Sequence, residues 1–377
     1  MMIHNNIRYA VNEKESLWVK LENSVKRILL YGMGDGAEKV LKCLSERGIK
    51  LAGIFASDDF VRGQSFCGYK VLTLFEAEQI YGDFTVLVCF ATKINEVMEH
   101  IESIASRHEL YFPDVNIYGD PSQVFDENYF ENNELRLQRV FDALADENSR
   151  DFFVSLISYK MSGKIGYIHQ LDNYSFKIKD KIKRIGVFAD IGAYNGDTAI
   201  KAAKDFPDLH SILAFEPELH SYKRLYEEFE NNPLLSHKKS LLINAAASDK
   251  NGVSTFCTGE GMGSYVKDNI YNRGVQKKRK EKTVKTETLD GIIENYPDFI
   301  PDLIKFDAEG AEYEAIKGCS AIIKQHCPIL EVSCYHKKDD IFIIPETVWE
   351  INPEYKLYIT RSNVCFPDWE CEYVFIH

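Results

Sequence analysis

Phe188-Ala189-Asp190-Ile191-Gly192-Ala193-Tyr194-Asn195-Gly196-Asp197-Thr198 is the stretch that decides the fold. The apolar run entering it, Val187 to Ile191, reads as a buried strand that delivers Asp190 near its carboxyl end. Gly192 and Gly196 give the backbone freedom to turn tightly and to approach a ligand. A helix is expected from Asp197 to Asp205. Strand, glycine turn and helix in that order make the first unit of an open α/β sheet, in which ligands lie beyond the carboxyl ends of the strands.

Downstream of this stretch, Ile212–Glu216 and Leu241–Ala245 read as the next two strands, with a helix over Leu219–Glu230 between them. Val253–Cys257 reads as an edge strand, and Leu303–Asp307 and Ile329–Val332 as two more. Tyr355–Thr360 and Tyr373–Ile376 are expected to close the sheet as an antiparallel pair. Upstream, a similar pattern recurs. Strand Arg27–Tyr31 precedes Gly32-Met33-Gly34-Asp35-Gly36-Ala37, then come a helix over Glu38–Arg47, a strand over Leu51–Phe55, a third apolar run over Thr85–Phe90 and a helix over Lys93–Ser106. Between the two patterns, Leu137, Val140, Phe141 and Leu144 fall at helical spacing, and Asp151–Lys160 suits another helix. The expected class is therefore α/β with two Rossmann-like domains, 1–120 and 185–377, joined by a helical connector, 121–184.

Composition narrows the function classes. The net charge of −13 makes nucleic acid an unfavourable partner, and the basic run Lys277–Lys280, with Lys282 beyond, reads as a solvated segment. The nine cysteines contain no Cys-x-x-Cys pair and several sit in apolar runs, for example Cys89 and Cys334, as expected of reduced, buried thiols. No apolar run is long enough to span a bilayer, and the polar N-terminus lacks the apolar stretch of a secretory signal, so the cytoplasm is the expected location. The oligomeric state is left open, a homo-oligomer included.

The chemistry is read from acidic residues at strand ends. Glu216 ends the second strand 20 residues after Gly196, where a carboxylate can accept both hydroxyls of a ribose. A dinucleotide site would leave the helix start free for pyrophosphate. Here Asp190 and Asp197 stand in that place. Carboxylates repel a phosphate and suit the cationic aminoacyl end of S-adenosylmethionine. Ala246 and Ser248, after the third strand, are candidates for the edge of an adenine ring; tight strand–loop packing is the alternative for each. Lys305, Asp307 and Glu309 alternate along one side of a strand end if the chain stays extended. Asp307 or Glu309 is then a candidate base for a hydroxyl proton. A divalent cation held by the pair is the less favoured use, and Glu312 is read as part of a structural ion-pair network. His336, just past the strand ending at Val332, is a further candidate base. Tyr335 is a candidate platform for a sugar ring and Arg361 a candidate partner for an anionic substrate group.

The segments FADIGAYNGDTA, FEPE, NAAASDKNG and DLIKFDAEGAEYEAIKG, in this order and spacing, resemble the FkbM family of S-adenosylmethionine-dependent methyltransferases. The tail from Glu331 to Arg361 also looks like a branch of that family, so the resemblance spans about residues 185–377. It implies a seven-stranded class I methyltransferase sheet and O-methylation of a sugar or related natural product. It places Asp190, Gly192, Gly196 and Glu216 at the donor and Asp307 and Glu309 at the reaction site. In the first domain, Gly32, Gly34 and Gly36 follow a strand, and Asp58-Asp59 follow the next. This domain looks like the N-terminal domain of bacterial sugar acyltransferases, which implies a nucleotide-linked sugar as ligand. A scaffold whose site has decayed is the alternative. Two other function classes stay open: an NAD-dependent enzyme modifying sugar nucleotides, and a non-catalytic binding protein with a methyltransferase fold.

Overall fold

The computed structural model describes residues 6–11, 13–118, 120–174, 181–182, 184–258, 265–266, 280–365, 367 and 369–377. Lys277, Lys278 and Arg279 of the basic run lie outside them. Contacts divide the chain into two compact units. One comprises Met1–Asp142, Glu147–Ser175 and Arg361–Glu370, the other Ala143–Asp146, Phe176–Thr360 and Cys371–His377. Among the described residues no helix is long and apolar enough to cross a membrane.

The first unit is built on six strands, β1 (Arg27–Tyr31), β2 (Leu51–Phe55), β3 (Ser65–Phe66), β4 (Tyr69–Leu72), β5 (Phe84–Val88) and β6 (Glu109–Tyr111), in the order β3-β4-β2-β1-β5-β6. All pairings are parallel except the β3–β4 hairpin. That hairpin turns on Cys67-Gly68, with φ of 48° and 85°, the two left-handed residues that a tight hairpin loop of matching twist requires. Leu30, Val40, Leu44, Ile54 and Leu87 form its core. Three helices, Glu127–Ala143, Glu147–Ser162 and Ile165–Tyr174, fill the stretch that the sequence marks as helical. The middle one is buried along most of its length. Two of its serines are satisfied within the helix: the hydroxyls of Ser158 and Ser162 donate to the carbonyls of Val154 and Ser158.

The second unit carries the seven-stranded sheet expected from the sequence. Its strands are β7 (Val187–Ile191), β8 (Ser211–Phe215), β9 (Lys239–Ile243), β14 (Leu303–Phe306), β15 (Ile329–Ser333), β16 (Lys356–Cys365) and β17 (Trp369–Ile376), of which Arg361–Cys365 and Trp369–Glu370 are grouped with the first unit. The order is β16-β17-β15-β14-β7-β8-β9, with β17 antiparallel to β15 and the five strands from β15 to β9 parallel. Every residue of β7, β8 and β14 is buried, as central parallel strands require when both faces are covered. A small second sheet follows β9. It contains β10 (Ala246–Ala247), β11 (Gly252–Thr258), β12 (Tyr265–Val266) and β13 (Lys280–Glu287) in the order β10-β13-β11-β12. β13, KEKTVKTE, has Val284 as its one apolar residue, which is why periodicity did not mark it as a strand. In the large sheet, the chain leaves β7 toward β8 on one side, and β14 lies on the other. This is the reversal point at whose carboxyl edge open α/β sheets bind ligands.

Candidate active site

Two loops meet at that edge. The turn after β7 is held by the amides of Gly192 and Ala193, which donate to the Phe215 carbonyl at 3.0 and 2.9 Å. Gly192 has φ +91°, and a Cβ there would stand 2.0 Å from the Asp307 carbonyl oxygen. Only glycine lets the turn lie directly on the loop that follows β14. Gly196, at φ +89°, then starts the helix Asp197–Asp205.

Glu216 follows β8 and is buried. One carboxylate oxygen accepts from the Tyr194 amide (2.9 Å), the other from the Glu218 amide (2.7 Å). Glu218 in turn caps the helix Leu219–Asn231, taking the amides of His220 and Ser221, and the Asn244 side chain donates to the Glu216 carbonyl at 2.8 Å. The carboxylate is thus fixed from two loops while each oxygen keeps a lone pair. Burial pushes its pKa up to about 7 against those two amides.

Asp190 and Asp197 have different settings. Asp197 is exposed, and its Oδ1 accepts the Thr198 amide at 2.9 Å. Asp190 is wholly buried, and neither of its oxygens has a hydrogen-bond partner among the described residues. Burial pushes it up to about 7, with Lys305 pulling the other way. Register explains the pairing: Asp190, Lys305 and Glu331 stand side by side across β7, β14 and β15. Lys305 is buried, with Nζ 3.0 Å from Asp307 Oδ2. Burial opposes its charge, but Asp307, Glu372 and Asp190 outweigh that and raise its pKa.

The alternation expected along Lys305, Asp307 and Glu309 does not continue past the strand. β14 ends at Phe306, and Glu309 (φ +52°) and Gly310 (φ +90°) turn the chain through left-handed backbone. The turn is fastened by Glu312. This residue is almost fully buried, and its Oε1 accepts the amides of Ala308 (2.8 Å) and Gly310 (3.3 Å). The same oxygen is 2.9 Å from His336 Nδ1. His336 Nε2 lies 3.5 Å from Asp307 Oδ1 and 3.6 Å from Glu309 Oε2. Asp307 Oδ1 also accepts from Ser333 Oγ (3.0 Å) and Tyr335 OH (3.4 Å). Burial disfavours the Asp307 carboxylate, but Lys305 and His336 draw its pKa down to about 2. Burial likewise disfavours imidazolium, yet Glu312, Glu309 and Asp307 raise His336 to about 10. The carboxylates around the ring thus favour its protonated form.

Sequence reasoning singled out His336, Tyr335, Asp307 and Glu309, and the fold gathers these four. It did not find Ser333 or the Tyr194 amide, since nothing but position at a strand end or turn marks them. It also read Glu312 as structural, without its bond to His336. Ala246 is buried in β10, paired with Thr286 of β13. The Ser248 amide is engaged by the Glu287 carbonyl (3.0 Å) and its hydroxyl by Asp249 (3.3 Å). Arg361 is buried in β16 and donates to the Pro367 carbonyl at 3.0 Å. It falls in the stretch grouped with the first unit. In that unit, Gly32 has φ +115°, Gly34 precedes the helix Asp35–Glu46, and a Cβ at Gly36 would meet the Cys89 carbonyl oxygen at 2.2 Å. Asp58 opens a short turn after Ser57, whose hydroxyl is 2.7 Å from Tyr31 OH.

Residues 190–355 match the model of the methyltransferase FkbM domain. A crystal structure of methyltransferase FkbM from Methylobacillus flagellatus is similar over 99% of this chain and 94% of that one, with a TM-score of 0.67 at 15% identity. Precorrin-6y C5,15-methyltransferase from Geobacter metallireducens is similar over 52% of this chain and 82% of its own, at 12% identity and a TM-score of 0.31. No curated protein matches the chain. The glycine turn and the acidic strand ends described above lie within the stretch that matches the methyltransferase FkbM domain.

Proposed function

We propose that the second unit transfers a methyl group from S-adenosylmethionine to a hydroxyl of a sugar, a nucleotide-linked sugar or a related small metabolite. The observation that carries this reading is Glu216, a buried carboxylate fixed by two backbone amides beside the Gly192 turn, with acceptor capacity left on both oxygens. That donor set fits the cofactor: a carboxylate for a ribose diol, and the two unpartnered oxygens of Asp190 for a cationic end. It fits a pyrophosphate poorly, because Asp197 occupies the first helical turn.

When bound, the cofactor supplies an electrophilic methyl on sulfur, so the protein has chiefly to align the acceptor oxygen. Asp307 and Glu309 offer acceptor oxygens to the hydroxyl. Asp307, held near 2, is a weak base and serves to orient. Glu309, the more exposed of the two, takes the proton. His336 and Lys305 keep the Asp307 carboxylate charged and placed. The first unit is assigned to holding a nucleotide-linked sugar at Gly32, Gly34, Gly36 and Asp58.

The test is radiolabelled methyl transfer to a panel of sugars and nucleotide-linked sugars by the full chain. Label is expected in at least one acceptor, with Glu309→Gln lowering kcat about 100-fold, the scale of a lost acid–base group. Label in none, by a chain that binds the cofactor, would contradict the acceptor class.

A further inference from the structure

β15 and β17 bring two cysteines face to face. Their antiparallel register sets Val332 opposite Tyr373 and Ser333 opposite Glu372. The next residue, Cys334, therefore stands opposite Cys371, and its amide donates to the Cys371 carbonyl at 3.0 Å. Alternation along β15 agrees. The Ile329 amide donates to the Asp302 carbonyl, just before β14, which turns Ile329, Glu331 and Ser333 toward that neighbour and Leu330, Val332 and Cys334 toward β17. Cys334 and Cys371 are thus a hydrogen-bonded pair, a class whose Cα atoms lie about 5.5 Å apart. That is inside the roughly 4.4–6.8 Å that a disulfide spans.

The side chains converge as well. Opposed residues of an antiparallel pair point to the same face of the sheet. Cys334 Sγ donates to the Cys371 carbonyl at 3.4 Å, so it leans toward its neighbour. Both thiols lie near Tyr373, whose hydroxyl pKa is raised by burial and then by each of them. Tyr373 OH donates to the Ile341 carbonyl at 2.6 Å, so the helix Asp340–Ile351 covers this face. Both residues are buried and carry thiols in this structure. Cβ atoms of such a pair stand about 5 Å apart, roughly 1 Å more than a disulfide prefers. Closing a bridge therefore pulls on the backbone at the end of β15, and Tyr335 and His336 are the next two residues.

We propose that Cys334 and Cys371 form a reversible modification site, closed to a disulfide by a peroxide and reopened by a dithiol, and that the bridge restrains the segment carrying Tyr335 and His336. One sulfur attacks the peroxide O–O bond, becoming a sulfenic acid and releasing one water. The second sulfur displaces the sulfenic oxygen as another water. Two thiols lose two electrons and two protons, and one peroxide is reduced. Burial disfavours the thiolate, so closure runs at the pace of local opening. The site does not rest on the methyl-transfer reading, since it is assayed without donor or acceptor.

The experiment is incubation of the reduced full chain with hydrogen peroxide, followed by unfolding, alkylation of remaining thiols and peptide mapping by mass spectrometry. A peptide pair joined through Cys334 and Cys371, lighter by two hydrogens and separated again by dithiothreitol, is expected. Hydrogen exchange at the Tyr335 and His336 amides should be about tenfold slower in the oxidised chain. Cys334→Ser and Cys371→Ser should each abolish the joined pair, while Cys67→Ser, on the exposed hairpin turn of the first unit, should retain it. Mapping of the unsubstituted chain keeps the test decisive should a buried variant fail to fold. Alkylation of both cysteines after peroxide, pairing of either with a different cysteine, or a bridge that leaves that exchange unchanged would overturn the proposal.

Discussion

Gly192 shows how one residue couples the two loops of the site. Its backbone lies at φ +91°, and a methyl in place of its hydrogen would press on the Asp307 carbonyl. Gly192→Ala should therefore destabilise the chain by roughly 1–3 kcal/mol through left-handed strain, and by more if the loops cannot separate. Denaturant unfolding measures this, and a stability equal to the parent's would mean the contact is not tight. The consequence extends beyond stability, since any retreat of the turn moves the Tyr194 amide off Glu216. Glycine at this position is legible in the sequence, because a strand followed by a glycine turn has few other uses. Its partner is not, because Asp307 is more than a hundred residues away along the chain.

Among the elements, the loop from Asp307 to the helix Glu312–Lys317 and the segment after β15 form one electrostatic unit. The pKa of His336 is raised from its ordinary value to about 10 by Glu312, Glu309 and Asp307 despite burial. The folded chain therefore binds this proton more tightly than the unfolded chain does. The resulting stability is fully present below about pH 6.5, the unfolded value, and is lost as pH rises through about 10. Thermal melts from pH 6 to pH 10 should show a decline that His336→Gln removes; a decline of the same size in the variant would place its cause elsewhere. Alternation along β14 makes Lys305 and Asp307 legible, but it fails at Glu309, where Gly310 turns the chain. The strands β4 and β6 and the polar β13 escaped for a related reason: they are too short or too evenly polar for periodicity to register.

Over the whole molecule, the sequence foretells two α/β sheets, and the structure contains them, with the seven-stranded order that sets β7 beside β14. Parallel order is legible because strands and helices alternate. The grouping of the helical stretch Glu127–Ser162 with the first unit, apart from Ala143–Asp146, is not, because its apolar faces do not name their partners. A ligand that binds the folded second unit alone should raise its apparent stability by mass action. The most direct measurement of the central claim is calorimetric titration of the full chain with S-adenosylhomocysteine. The account predicts micromolar binding that weakens about tenfold from pH 8 to pH 6, as a carboxylate with a pKa near 7 protonates, and that disappears in a folded Glu216→Ala variant. No binding, or equal binding by that variant, would contradict it.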